Sequence, residues 1–148
     1  MPKNSEILEL ALSYTENNPE VWFKGALAGD ADGNKLAIAD DPSAVCWCAM
    51  GLVSKASQEL DVEMCELTEI NFDALDFLYP HAPGGYISFY NDAPETTHAD
   101  VVRMFKLGIA DAKAKEEKDE ICHFKSTLCR SKFRITQLWL PNTCARIL

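Results

Sequence analysis

The sequence predicts a mainly α protein: about four helices with one or two short β elements, in a single compact domain. Three observations carry that expectation. Apolar residues recur at helical spacing in several separate segments. Strand-like stretches are few, short and bounded by turn formers. The 148 residues, 47% hydrophobic and 25% charged, are of one-domain size and suffice for a real core.

The elements follow in order. Asn4 or Ser5 is placed to cap a first helix, near residues 5–16. Ile7, Leu10, Ala11 and Tyr14 lie on one apolar face of it, and Asn17-Asn18-Pro19 stops it. The segment 21–26, with Val21-Trp22-Phe23, reads as a short strand. Gly29 to Asn34 is turn chemistry, and Lys35 to Ala39 returns as a second short strand, so the region reads as a hairpin or a structured loop. Asp41-Pro42 resembles a helix start, an Asp cap followed by proline at the first helical position. A central helix is therefore expected over 42–58, with Val45, Cys48, Ala49, Leu52 and Ala56 on one face. Gly51 within it costs about 1 kcal/mol against alanine, which points to close approach of another backbone.

Thr68 is the expected cap of a third helix, 69–79, ended by Pro80. Tyr86 to Tyr90 is rich in aromatic and β-branched residues and reads as a strand. Thr97 to Asp100 has the form of a capping box, with Asp in place of the usual Glu, opening a helix over 97–116. Val101, Met104, Phe105, Gly108 and Ala112 form its apolar side.

Charge divides the chain into an acidic body, 1–120, and a basic segment, 121–148. The net charge is −9. Residues 1–120 hold 9 basic and 23 acidic groups, and residues 121–148 hold 5 basic groups and no acidic one. An acidic body repels phosphate backbones, so direct nucleic-acid binding by it is not expected. A solubilising surface is the plain reading of such charge, and a basic protein partner is compatible with it. The tail, with Ile121, Phe124 and Leu128 at helical spacing, is expected to begin as a helix near Ile121 and to pack either on the body or, in a homodimer, on a second copy. No apolar run approaches the roughly 20 residues that span a bilayer, and no secretory signal is visible. The expected location is cytoplasmic, and Cys46, Cys48, Cys65, Cys122, Cys129 and Cys144 are expected to be reduced.

Several segments in order resemble an uncharacterised family of small bacterial and phage proteins. They are Trp22 to Leu27, Trp47-Cys48-Ala49-Met50-Gly51-Leu52, Ile87 to Asp92, and Thr97 to Val101. Such proteins share a Trp-Cys-x-x-Gly-Ala-Leu helix and a later Asn-Asp followed by Thr and an apolar helix. Leu52 departs from that pattern, standing where Ala follows the glycine. The resemblance covers about residues 5–112. It implies a compact, mostly helical domain of phage or mobile-element origin and supplies no catalytic residues.

Three constellations bear on chemistry. Cys48 or Cys46 with His81 and Asn91 has the residue types and chain order of a cysteine hydrolase. Both cysteines lie in an apolar segment, however, and free cysteine is among the most buried residue types, so packing is the better reading. Asp30, Asp32, Asn34 and Asp41 match acidic positions of a calcium loop, but Lys35 stands where that loop needs glycine and Asp41 where it needs a bidentate Glu. A surface turn is favoured there, and no metal site is expected. Asn91 and Asp92 with Tyr90, Trp22 and Trp47 offer polar groups beside aromatics, as small-ligand pockets do; turn capping is the commoner task of such residues. No phosphate loop, nucleophile elbow or His-Glu-x-x-His motif occurs.

The sequence therefore points to a non-enzymatic interaction domain, phage-encoded, that binds or inhibits a host protein of basic surface, with no cofactor and no catalytic residue assigned. The alternative is a small-ligand binder or cysteine-dependent hydrolase with a pocket near Trp47, Cys48, His81 and Asn91. The binding candidates are Trp22, Trp47, Cys48, His81, Tyr90, Asn91 and Asp92.

Overall fold

The computed structural model describes residues 2–62 and 71–136, with side chains up to His123. Contacts divide the chain after Ala114. Residues up to 114 form one mainly α unit with a small sheet, and the second unit, as far as it is described, is helical.

Helix α1 spans Asn4–Thr15. It begins one or two residues before the expected caps: Lys3 is the cap residue, and its N–H donates to the Glu6 carboxylate at 3.1 Å. Ile7, Leu8, Ala11 and Leu12 are buried along one side, and Leu10 and Tyr14 pack partly buried against the same core. A single 3-10 turn, Pro19–Val21, follows.

Strand β1 is Ala28–Asp30, β2 is Lys35–Leu36 and β3 is Ala44–Trp47, joined as an antiparallel sheet in the order β2-β1-β3. The expected hairpin is present, but its first strand lies at 28–30 rather than 21–26. Trp22 instead makes an isolated parallel bridge to Trp47. Asp30 closes the hairpin turn: its Oδ1 accepts from the N–H groups of Asp32 and Asn34, and its Oδ2 from the Asn34 amide. Strand β3 pairs Trp47 with Ala28 and Cys46 with Gly29.

That pairing corrects the expected helix over 42–58. Helix α2 spans Ala49–Glu59 and starts seven residues later than 42. Asp41 does not cap it; its Oδ1 accepts from the Ser43 N–H and hydroxyl in a local turn. The cap is Cys48, whose sulfur accepts the Gly51 N–H at 3.4 Å. Ala49, Leu52, Val53 and Ala56 are fully buried, as the central position required, but Val45 alternates outward on the strand and is 49% exposed. Gly51 meets another backbone: a Cβ built there would lie 2.0 Å from the Leu27 carbonyl oxygen.

Helix α3 is short, Phe72–Leu75, and Asn71 caps it by accepting the Ala74 N–H. The expected cap Thr68 lies outside the described residues. The expected helix to residue 79 is broken into α3, a turn and a 3-10 turn at Tyr79–His81. Tyr86–Tyr90 is not a strand: helix α4 spans Ile87–Asp92. Helix α5 spans His98–Thr136, and its start is the capping box foreseen, with Thr97 N–H donating to Asp100 Oδ2 and Asp100 N–H to Thr97 Oγ1. The helix passes through Ile121, where the tail was expected to begin as a helix; residues 137–148 lie outside the described residues.

The core of the first unit is built from α1, α2, α3 and the first turns of α5. Ile7, Leu8, Leu52, Leu75, Leu78, Ile87 and Phe105 are its largest fully enclosed apolar side chains, with Met104 and Val101 beside them.

Candidate functional site

Asn91, at the end of α4, is completely enclosed. Its Oδ1 accepts from the Trp22 indole N–H at 2.7 Å and from the Ala49 N–H at 3.0 Å. Its amide nitrogen donates to the Phe23 carbonyl at 3.0 Å and to Asp92 Oδ1 at 2.8 Å. The carboxamide has two donor hydrogens and two good acceptor directions, and all four are used. Asp92 Oδ1 also accepts the Gly25 N–H at 2.8 Å. Lys24 completes the attachment: its ammonium bonds the carbonyls of Ala93 and Thr96 and lies 4.9 Å from the centre of the Trp22 ring. The structure thus brings Trp22, Asn91 and Asp92 together, as a polar lock joining the 22–25 segment, the start of α2 and the end of α4. Tyr90 packs partly buried against the core beside it.

Cys48 lies in the same region, since Ala49 is bonded to Asn91. Burial, foremost, raises its thiol above the ordinary value, so the nucleophilic thiolate is disfavoured. Cys46 is shifted the same way and for the same leading reason, and its sulfur contacts the Gly29 carbonyl. His81 is engaged elsewhere: its Nε2 is 2.7 Å from Asp111 on α5. Cys46, Cys48 and Cys122 are unpaired thiols, and among the described residues no group of His, Cys, Asp and Glu is arranged to hold a metal ion.

Trp47 belongs to a different feature. It lines a cleft of about 430 Å³ with Ala39, Asp40, Asp41, Pro42, Ala44, Lys55, Gln58 and Glu59. The Trp47 indole N–H is anchored on the Ala39 carbonyl at 2.7 Å. Lys55 lies with its ammonium 4.7 Å from the centre of the Trp47 ring and 5.3 Å from that of Tyr14. The Tyr14 hydroxyl donates to Glu59 at 2.5 Å, and burial with that carboxylate pushes the phenol strongly up, so it stays a donor. Ser43 holds the Asp41 carboxyl below its ordinary value by hydrogen bonding, which fixes a negative charge at the mouth.

The cleft was only partly visible in the sequence. By sequence Trp47 is a candidate, Asp41 reads as a helix cap and a calcium-loop position, and Lys55, Glu59 and Asp40 carry no motif of their own. The signal available was the Lys55–Glu59 spacing on a helix behind an Asp-Asp pair, which becomes meaningful only once α2 and the 39–42 loop are adjacent.

The chain belongs to a protein family of unknown function, DUF6197, whose family model matches residues 1–111. That agrees with the resemblance read from Trp22 to Val101. No curated protein matches the chain, and no solved structure does.

Proposed function

We propose that this is a non-enzymatic interaction domain that binds a basic segment of a host protein through the acidic side of the Trp47 cleft. The observation that carries the reading is the cleft itself: three carboxylates, Asp40, Asp41 and Glu59, surround an anchored indole in a space of about 430 Å³. A cationic side chain finds there fixed negative charge beside an anchored aromatic wall. The excess of acidic groups over the body adds long-range attraction for such a partner. A phage origin of the chain rests on the sequence resemblance alone.

The hydrolase alternative has weaker support. Asn91 has no hydrogen-bonding capacity left to orient a histidine, Cys48 is held as a buried thiol, and His81 is paired with Asp111. As for membranes, among the described residues no helix is long and apolar enough to cross one.

Calorimetric titration of the full chain with Lys/Arg-rich and Glu-rich peptides tests the reading. The basic peptides are expected to bind, more weakly as salt rises and more weakly to Asp40→Asn. Equal binding of both peptide classes, or binding of neither, would reject it.

A further inference from the structure

Lys55 is surrounded by carboxylates and paired with none of them. Asp40, Asp41 and Glu59 line the same cleft. Yet among the described residues no carboxylate lies within ion-pair distance of the Lys55 ammonium. Glu59 stands four residues further along α2, a spacing at which such pairs form readily, but it accepts the Tyr14 hydroxyl instead. Asp41 Oδ1 is taken by Ser43. The Lys55 ammonium faces the Trp47 and Tyr14 rings, which supply no hydrogen-bond acceptor of full charge. A positioned cation is therefore left without an anion inside a cleft whose rim is negative.

An ordinary basic side chain answers the carboxylates but leaves the Lys55 ammonium without an anion. A residue carrying a carboxylate and a cation together answers both. We propose that the cleft receives the C-terminal residue of a basic partner chain, a Lys or Arg. Lys55 takes the terminal carboxylate, and Asp40 with Asp41 takes the cationic side chain. This rests on the interaction reading above and names the part of the partner that is recognised. The volume suits it: about 430 Å³ is in the range of small-ligand pockets and admits one or two residues rather than a helix.

The test uses the full chain and three probes: a basic hexapeptide ending in arginine with a free carboxyl, the same peptide as its C-terminal amide, and free arginine. The free-carboxyl peptide is expected to bind at least tenfold more tightly than the amide. Lys55→Gln is expected to remove that discrimination, and Lys55→Arg to keep it; thermal unfolding of each variant checks that it is folded. Should Lys55→Gln not fold, the acid-to-amide ratio on the unaltered chain, with Lys55→Arg, decides. Equal binding of acid and amide overturns this proposal and leaves the interaction reading standing. Free arginine binding as tightly as the peptide also overturns it, since the ligand is then the amino acid. Failure of both peptides to bind overturns the two readings together.

Discussion

The indole N–H of Trp22 donates to Oδ1 of Asn91 at 2.7 Å, across 69 residues of chain. The same oxygen accepts the first N–H of helix α2, so one buried carboxamide fixes three segments. Asn91→Ala strips the partners from the Trp22 indole, the Ala49 N–H and the Phe23 carbonyl. The Ala49 bond is buried and the other two are partly so; at about 1–3 kcal/mol for a buried group left unsatisfied, a loss of at least about 1 kcal/mol is expected. Trp22→Phe, which removes a single donor, is expected to cost less at that bond. A urea midpoint for Asn91→Ala equal to wild type would show that the lock contributes nothing.

Gly51 separates two physical effects of opposite sign. Helix propensity alone predicts that Gly51→Ala stabilises by about 1 kcal/mol. The Leu27 carbonyl, 2.0 Å from the built Cβ, predicts overpacking at a backbone atom that has no room to yield, because it also accepts the Cys48 N–H. The expected result is net destabilisation of Gly51→Ala in chemical unfolding. A stabilised variant would mean that α2 moves away from the 27–28 backbone at little cost.

Leu52, one residue on, is fully enclosed in the core. Leu52→Ala is expected to lose about 2–5 kcal/mol through lost burial and a residual cavity. Because Gly51 and Leu52 share a turn, their effects are not expected to add.

Asp100 gives an acid-side prediction. Its hydrogen bonds, first to the Thr97 hydroxyl and then to the Thr97 N–H, hold its carboxyl below the ordinary value of 3.8. A depressed native value contributes stability above the unfolded value and loses it as pH falls through the native one. Asp100→Asn should therefore melt lower than wild type at neutral pH, and the two melting curves should converge as pH drops well below 3.8. A gap that persists unchanged in acid would assign the effect to something other than the carboxylate.

Cys48 gives the alkaline counterpart. Its thiol is raised above 9.0 by burial, so the unfolded chain loses that proton first. Stability from this group is whole below the unfolded value and falls as pH rises through it. Site-resolved alkylation with iodoacetamide at pH 8 should label exposed Cys122 well before Cys48, and urea should abolish the difference. Fast native labelling of Cys48 would revive a nucleophilic role for it.

Much of the local structure was written in short-range sequence. The apolar spacing of Ile7 and Ala11, the turn at Asp30 to Asn34, and the capping box of Thr97 and Asp100 each depend on neighbours within a few residues, and each is present. Two segments were decided otherwise. Asp41-Pro42 has every local mark of a helix start, yet residues 44–47 gain more by pairing with β1, which leaves Cys48 to open the helix. Tyr86 to Tyr90 has strand-like composition, but it joins none of the strands of the described sheet. A short helix instead buries Ile87 and turns Asn91 inward to meet Trp22 and Ala49, while Tyr86 and Phe89 stay outside. The cleft is of the same kind: Asp40, Trp47 and Lys55 carry their charge and ring in the sequence, but only packing of α2 behind the 39–42 loop leaves a lysine among carboxylates without a pair. Periodicity and capping act within one turn of chain and are legible there; strand pairing and buried polar satisfaction depend on groups tens of residues away, so tertiary structure alone decides them.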